Sequence, residues 1–327
     1  MSSPDIAIIG AGMAGIACAR RLTDDGFSVR VYDKSRGIGG RIATRRTEAG
    51  LRFDHGIPFI DASVPEMGPL LDTLLSAGSA AISAVEAGSG LSEGRCYGLP
   101  GMSGLLRPLA DGLVLNRGSE VSEVARRDLW WELSFKDGRA PERCDILICA
   151  VPAPQACALL KGVGEITDPL TAVAFDPCWT FMLGFDESRA VDPSMLSGSA
   201  RFIADAYREN DKPGRADLPM DCWVAHATPE WSIRHLELDR PEVTDRLRDV
   251  LLTTSDGSVP EPAFVAAHRW RYARTRTALG RPFAATADGS LFVGGDWCLG
   301  DKVEHALASG AAIAAAIVEA DAARGSR

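Results

Sequence analysis

Residues 5–15, Asp5-Ile6-Ala7-Ile8-Ile9-Gly10-Ala11-Gly12-Met13-Ala14-Gly15, decide the fold. An apolar strand, Asp5–Ile9, runs straight into a G-x-G-x-x-G turn. A helical pattern follows (Ile16, Ala17, Ala19, Leu22), and a second strand, Ser28–Tyr32, ends on Asp33. Each glycine has its own reason. Gly10 permits the tight turn, Gly12 lets backbone N–H groups approach a pyrophosphate, and Gly15 lets the helix pack close to the strand. The helix N-terminus then offers unpaired N–H groups and its positive dipole end to the phosphates. Asp33 stands where an acid accepts hydrogen bonds from the adenosine ribose. The pattern predicts a Rossmann-like dinucleotide site without saying which dinucleotide.

The next stretch, Asp33-Lys34-Ser35-Arg36-Gly37-Ile38-Gly39-Gly40-Arg41 with Thr44 beyond it, is a second glycine-rich basic loop. Its plain alternative is a mobile surface loop. Placed directly after the first motif, it resembles the Glu/Asp-Lys…Gly-Gly-Arg…Thr signature of the flavin-containing amine oxidase superfamily, whose arginine and neighbours run along the diphosphate and ribityl chain. Further stretches resemble the bacterial renalases, flavin oxidases of aberrant dihydronicotinamide dinucleotides. These are Pro100–Ser103, Ala150–Ala156, Lys212-Pro213-Gly214-Arg215, Trp223–Thr228 with Trp231-Ser232, His268–Ala273, Gly295-Asp296-Trp297-Cys298, Val303-Glu304 and Ser309-Gly310.

The resemblance implies an α/β fold of the amine-oxidase or p-hydroxybenzoate-hydroxylase type. A Rossmann-like FAD-binding domain on a parallel sheet would carry an inserted antiparallel-sheet substrate domain. It further implies an oxidase that passes hydride from 1,2- and 1,6-dihydro isomers of NAD(P)H to flavin N5 and reduces dioxygen to hydrogen peroxide. By position, Gly10, Ala11, Gly12, Met13, Ala14, Gly15, Asp33, Lys34, Gly39, Gly40 and Arg41 would hold the ADP and diphosphate. The Val121 backbone would meet the adenine, Gly295 and Asp296 the diphosphate–ribityl region, and the Val303 N–H the isoalloxazine ring, with His55 and Gly56 flanking the flavin. Covalent attachment in the amine oxidases uses a cysteine far upstream of the Asp296 motif, so Cys298 is not an attachment point and the FAD is expected to be non-covalent.

Two departures bear on the substrate. After Asp54-His55-Gly56 the family continues Ala-Gln-Tyr-Phe-Thr, whereas this chain has Ile57-Pro58-Phe59-Ile60-Asp61, replacing an amide and a phenol by a proline and a phenyl ring. His305 stands where the family has glycine. The substrate-side candidates are Ile57, Pro58, Phe59, Tyr97, Thr180, His226 and Trp270.

Composition fits this picture. At 327 residues the chain suits two domains, and it is 46% hydrophobic and 24% charged. A net charge of −9 without a basic block argues against nucleic acid or an anionic membrane as partner. No basic leader precedes the first strand, and Ala306–Val318 is expected to be too short and alanine-rich to span a bilayer. Eight cysteines without a C-x-x-C pair suggest reduced thiols in a cytoplasmic protein, and five histidines without ligand spacing suggest no metal site.

The flavin fold is expected from three segments, 1–60, 100–160 and 274–327, with 61–99 and 161–273 as the substrate domain. Expected elements include a helix over Gly104–Ala110, strands Val114–Leu115, Glu120–Val124 and Leu129–Phe135, and a fully apolar strand, Asp145–Ala150, of the kind covered on both faces. Ser290–Val293 reads as a strand and Val303–Ile317 as a small-residue helix able to approach a sheet or cofactor closely. Trp179–Phe185, Cys222–Ala227 and Val265–Tyr272 read as antiparallel strands separated by loops such as Glu209–Leu218.

Hydride loss from a dihydropyridine restores an aromatic pyridinium, so the protein has only to hold the reacting carbon in a water-poor pocket. No catalytic residue is assigned with certainty. His226 is the candidate substrate contact, its alternative being a hydrogen-bonded structural histidine. His268, Arg269 and Arg271 are candidates for a substrate phosphate or for ordinary ion pairs. Amine oxidation asks for an aromatic cage and a flavin-associated lysine. The chain has four tyrosines and no lysine in an alignable context, while Trp179, Trp223, Trp270 and Trp297 are either aromatic walls or core. An amine oxidase or desaturase acting on a hydrophobic small molecule, favoured by Ile57–Ile60, is one rival reading. A flavin-binding sensor or scaffold with little turnover is another.

Overall fold

The computed structural model describes residues 3–83, 94–187, 191, 196, 202–254 and 259–325. They pack into two compact units: Met1–Gly40 with Leu106–Ala174 and Thr275–Arg327, and Arg41–Leu105 with Phe175–Arg274.

The first unit is laid on a six-stranded sheet in the order Phe283–Ala285, Leu291–Gly294, Ile146–Cys149, Asp5–Ile9, Ser28–Asp33, Val114–Arg117. Every pair is parallel except Phe283–Ala285 against Leu291–Gly294. Ile6 lies between Ile146 and Val29 in register. Ile6, Ile8, Leu147 and Ile148 are all fully buried, as in a parallel sheet covered on both faces, where polar alternation would strand polar groups. The helix Met13–Asp24 buries Ile16, Cys18, Ala19 and Leu22. A smaller antiparallel sheet, Val121–Arg127, Trp130–Phe135 and Glu142–Cys144, buries Trp131, Leu133 and Phe135 with strict period two.

The C-terminal helix runs Val303–Gly325, well beyond the expected end. Over Val303–Arg324 it is long and apolar enough to cross a membrane by length and composition, contrary to the shorter span expected. Ser309, Ile313, Ala314 and Ile317 on this helix are at most 2% exposed, so one face is packed into the unit as in a core helix. Gly310 explains how it gets so close: a Cβ there would lie 2.3 Å from the Ala14 carbonyl oxygen. The Ser309 hydroxyl donates to the Pro282 carbonyl (2.7 Å) and accepts from the Gly295 N–H (2.9 Å).

The second unit centres on a four-stranded sheet in the order Ile203–Arg208, Asp221–Ala227, Ala174–Phe185, Phe264–Thr277. Side-chain alternation sends its two faces into different cores. Trp179, Phe181, Leu183 and Trp223 pack with Val243, Leu247 and Leu251, which recur every four residues along the helix Arg240–Thr254. On the opposite face Met182, Cys222 and Val224 pack with Leu51 and Phe53. Phe53 belongs to the pair Thr44–Arg46 and Arg52–Asp54; a three-stranded sheet, Ile60–Asp61, Arg95–Gly98 and Ala80–Ser83, completes the unit.

Residues 41–60, 100–105 and 274 thus sit in the second unit and 161–174 in the first, unlike the division drawn from sequence. The tie is Asp54, whose buried carboxylate binds Lys212 and Arg215. The expected helix over Gly104–Ala110 is a 3-10 turn, Met102–Leu106, followed by a single α-turn, Arg107–Ala110, since Pro108 supplies no N–H to a longer one.

Candidate functional site

In the first unit the sequence motif becomes a cradle. Gly10 has φ +111°, and a Cβ on it would fall 2.5 Å from the Ala150 carbonyl oxygen. A Cβ on Gly15 would fall 2.0 Å from the Gly10 carbonyl oxygen. Gly12 is different: nothing lies within 4 Å of a Cβ built there. The helix Met13–Asp24 starts with no side-chain cap and no acid in its first turn. Bare N–H groups at a positive helix end, facing open space, are what an anionic diphosphate needs.

The second glycine loop is joined to the first. The Gly39 N–H donates to the Ala11 carbonyl (2.9 Å), Gly12 and Gly39 form a parallel bridge, and a Cβ on Gly40 would sit 3.7 Å from the Gly12 Cα. Asp33 is fixed by backbone donors: Oδ2 accepts from the Ala11 N–H and Oδ1 from the Ser35 N–H, both at 2.7 Å. Lys34 is exposed beside it. Val121 begins its strand, 7% exposed. Asp296 is buried in a 3-10 turn after Gly295, and Val303 is buried at the start of the C-terminal helix. His305 has a use there that glycine lacks: its Nδ1 accepts the Lys302 N–H at 3.3 Å, capping the helix entry. These residues fit a dinucleotide. Gly10–Gly15, Asp33, Lys34, Gly39, Gly40, Val121, Gly295, Asp296 and Val303 fall in the first unit, and Arg41, His55 and Gly56 in the second.

In the second unit, Gly56 meets Arg41. A Cβ on Gly56 would lie 1.9 Å from the Arg41 carbonyl oxygen, which also accepts the Ile57 N–H at 2.8 Å. His55 is 7% exposed, with Nδ1 buried and without a hydrogen-bond partner. The Trp270 indole N–H donates to the His55 carbonyl (2.8 Å), and its ring stacks on the imidazole at 5.2 Å between centroids. His268 meets His55 edge-on at 4.8 Å. Burial lowers the His55 pKa to about 4, helped by Arg45 and Arg240 and opposed by the Phe53 carbonyl and Asp54. Burial, then His55, Arg240 and Arg45, lower that of His268 to about 3.

A second ring cluster gathers most of the remaining substrate-side candidates. His226 stands opposite Thr180 across the sheet and 5.9 Å from the Tyr207 ring. Tyr207 in turn is 5.9 Å from Phe59, which is 6.2 Å from Tyr97 and carries the Arg95 guanidinium over its face at 4.3 Å. Burial holds the His226 pKa at about 4, with Arg274 pushing the same way and Asp205 against it. Phe59, Tyr97, Thr180 and His226 are therefore brought together, and Trp270 joins His55. Ile57 and Pro58 are half-buried on the chain between them.

Arg269 and Arg271 take the ion-pair alternative, and one charge-rich loop proves to hold buried charges. Arg269 donates to the Leu236 carbonyl (2.6 Å), and Arg271 pairs bidentately with Glu237 (2.7 and 2.8 Å), so neither is held ready for a phosphate. Glu209–Leu218, expected as a polar loop, contains a buried charge network. Glu209, Lys212 and Arg215 are at most 6% exposed, and with Asp54 they form two anions against two cations. Lys212 Nζ reaches Asp54 (3.1 Å) and Glu209 (2.7 Å), while Arg215 reaches Asp54 (2.6 Å) and Glu209. Thr44 and the Met102 N–H satisfy the other oxygen of Asp54. The signal for it in the sequence was Lys212-Pro213-Gly214-Arg215, whose charges at a spacing of three lie one turn apart. All eight cysteines are free thiols, and among the described residues no group of three His, Cys, Asp or Glu could hold a metal.

Residues 8–74 match the NAD(P)-binding Rossmann-like domain model, and residues 70–318 match that of flavin containing amine oxidoreductase. The chain is 48% identical to 4,4'-diaponeurosporene oxygenase of Staphylococcus haemolyticus over 56 residues, 17% of this chain and 11% of that one. It is 34% identical to protoporphyrinogen oxidase 2 of Arabidopsis thaliana over 74 residues, 23% of this chain and 14% of that one. The chain thus spans only a small part of these relatives' length. Cyclohexylamine oxidase from Brevibacterium oxydans shares the fold, with a TM-score of 0.72 at 14% identity over 97% of this chain and 99% of that one. A flavin cofactor, small-molecule substrates and oxidoreductase chemistry go with the matched family model. With that model spanning most of its length, the chain belongs to the flavin-containing amine oxidoreductase family.

Proposed function

We propose that the protein is a renalase-type oxidase, holding FAD non-covalently and oxidising 1,2- and 1,6-dihydro isomers of NAD(P)H. When bound, the flavin supplies a hydride acceptor and passes the electrons to dioxygen, yielding hydrogen peroxide. The first unit's glycine cradle, bare helix end and Asp33 would grip the dinucleotide part of the cofactor. The second unit offers planar rings on its substrate-side residues.

One observation carries this reading: the buried lysine, Lys212, is committed to Asp54 and Glu209, and the imidazoles of His55, His226 and His268 stand where burial favours their neutral form. A set of groups with no free ammonium and no imidazolium suits a substrate that becomes a cation as it is oxidised. It is a poor match for an amine, which must be held neutral and met by a lysine near the ring. The test is anaerobic mixing of yellow protein with each dihydro isomer of NAD. Bleaching within seconds is expected; no bleaching by any isomer would discard this substrate class.

A second reading rests on Phe59, where the family has tyrosine. Its apolar ring is boxed by Tyr97, Tyr207 and Arg95, and the similar chains include a protoporphyrinogen oxidase. Peroxide formation in an amine screen, without reaction of the dihydropyridines, would promote it.

A further inference from the structure

Two stretches singled out in the sequence, Pro100–Ser103 and Lys212–Arg215, take no part in the glycine cradle, and they meet on one carboxylate. Asp54 is 1% exposed, and both its carboxylate oxygens and its N–H are engaged. Lys212 Nζ (3.1 Å) and the Arg215 guanidinium (2.6 Å) donate to Oδ2. The Thr44 hydroxyl (2.7 Å) and the Met102 N–H (2.9 Å) donate to Oδ1, and the Asp54 N–H donates to Glu209 (3.2 Å). Thr44 Oγ1 in turn accepts the Ser103 N–H at 3.2 Å. A Cβ on Gly101 would fall 2.5 Å from that oxygen and 2.8 Å from an Arg215 nitrogen, so the three stretches close up only because residue 101 has no side chain.

Asp54 stands at the neck of a hairpin that carries Arg41. Thr44 is its register partner across the strands Thr44–Arg46 and Arg52–Asp54. Outward from Thr44 on one arm comes Arg41, in the 3-10 turn Gly40–Ile42. Outward from Asp54 on the other comes Ile57, whose N–H donates to the Arg41 carbonyl at 2.8 Å. The arms are therefore clamped twice, at Thr44–Asp54 and at Arg41–Ile57, and the Arg41 guanidinium reaches from there to the Ala273 carbonyl (3.3 Å). Two buried anions against two buried cations add little stability over apolar packing of the same volume. What charge-assisted bonds supply and apolar contacts do not is direction. The fork of Arg215 and the ammonium of Lys212 fix where Asp54 Oδ2 lies and, through Oδ1 and Thr44, where the arm bearing Arg41 lies.

We infer that Asp54, set by Lys212 and Arg215, is a positioning residue for Arg41, holding through Thr44 the arm that presents this arginine to the flavin dinucleotide. This rests on the proposed place of Arg41 on the cofactor. It gives the Pro100–Ser103 and Lys212–Arg215 stretches a task in cofactor binding that the glycine motifs do not perform.

The experiment follows the rise in flavin fluorescence as holoenzyme releases FAD after dilution, beside the thermal midpoint of each variant. Arg41→Gln is the reference for loss of the cofactor contact itself and should speed release. Thr44→Val removes the hydroxyl at nearly constant volume and should speed release about threefold to tenfold, with Thr44→Ser restoring it to within about twofold of the unsubstituted protein. Arg215→Lys keeps the charge balance but cannot fork between Asp54 and Glu209, and it should speed release likewise. Val243→Ala, in the core on the other face of the sheet, should lower the thermal midpoint at least as far as Thr44→Val while changing release less than about twofold. Release unchanged in both Thr44→Val and Arg215→Lys, with Arg41→Gln faster, overturns the positioning role. A Val243→Ala variant that loses flavin as fast as Thr44→Val overturns it too, because lost stability alone would then explain the effect. Release unchanged in Arg41→Gln refutes the place of Arg41 on the cofactor and, with it, this assignment.

Discussion

The buried network of Asp54, Glu209, Lys212 and Arg215 gives the sharpest stability test, because its charges balance only as a set. Replacing Arg215 by Met removes donors to Asp54 Oδ2 and to Glu209 Oε2. Asp54 retains Lys212, Thr44 and the Met102 N–H, whereas Glu209 Oε2 retains only the Asp54 N–H at 3.2 Å. Two carboxylates then face one ammonium at sites at most 6% exposed. Leaving a buried charge uncompensated costs about 3–5 kcal/mol. For a unit of this size that is a fall in thermal midpoint of roughly 6–20 °C. Adding Glu209→Gln removes the excess negative charge and leaves Asp54 with Lys212. The double variant should therefore recover at least half the loss, a coupling of about 1.5 kcal/mol or more in a double-mutant cycle. The assay is thermal denaturation followed by tryptophan fluorescence. A single-variant loss below about 1 kcal/mol, or a double variant as unstable as the sum of the singles, would refute the reasoning.

Other consequences follow from the same structure. Gly12→Ala has room for its methyl, so the thermal midpoint of flavin-free protein should hold while the purified variant comes out colourless; Gly15→Ala, with its Cβ 2.0 Å from the Gly10 carbonyl oxygen, should lower the midpoint itself. Gly56→Ala drives a methyl to 1.9 Å from the Arg41 carbonyl oxygen and should cost about 3 kcal/mol, measurable as a lower urea midpoint. His55 and His226 have folded pKa values near 4 against 6.5, so below pH 6.5 the unfolded chain takes up protons that the folded one refuses. Stability present above pH 6.5 is therefore lost on acidification towards pH 4, by roughly 3 kcal/mol per residue. His226→Phe should flatten that slope, and a variant whose denaturation midpoints track the wild type from pH 7 to pH 4.5 would contradict the assignment.

The legible parts of the sequence were those written in backbone chemistry. The turn Gly10–Gly15 works through main-chain N–H groups, missing side chains and an apolar strand, so its residues announce both place and purpose. The linked loop Gly39–Gly40 was legible for the same reason, and it lies hydrogen-bonded against the first turn as paired motifs suggest. The second unit was harder. Its strands could be seen from alternation, but which residues meet depends on register, and a shift of one residue would send His226 to the opposite face. Glu209, Lys212 and Arg215 misled because a charge-rich stretch is normally solvated. Only the partner Asp54, 155 residues or more away, makes their burial possible. Arg269 could be read only as a choice between a phosphate and an ion pair, since the Leu236 carbonyl that takes its N–H groups carries no sequence signal.

That burial has a consequence for chemistry as well as stability. By locking Lys212 and Arg215 onto two carboxylates, the second unit keeps two of its buried cations from pairing with any ligand. Phe59 offers no hydrogen bond where the family has a phenol, and Arg95 covers one of its faces. Polar recognition in that cluster then falls to Tyr97, Tyr207 and a neutral His226, which can donate from one ring nitrogen and accept at the other. On the proposed dihydropyridine substrate, such a neutral donor–acceptor pair would suit the carboxamide of the ring, and no imidazolium would oppose the ring cation that its oxidation forms.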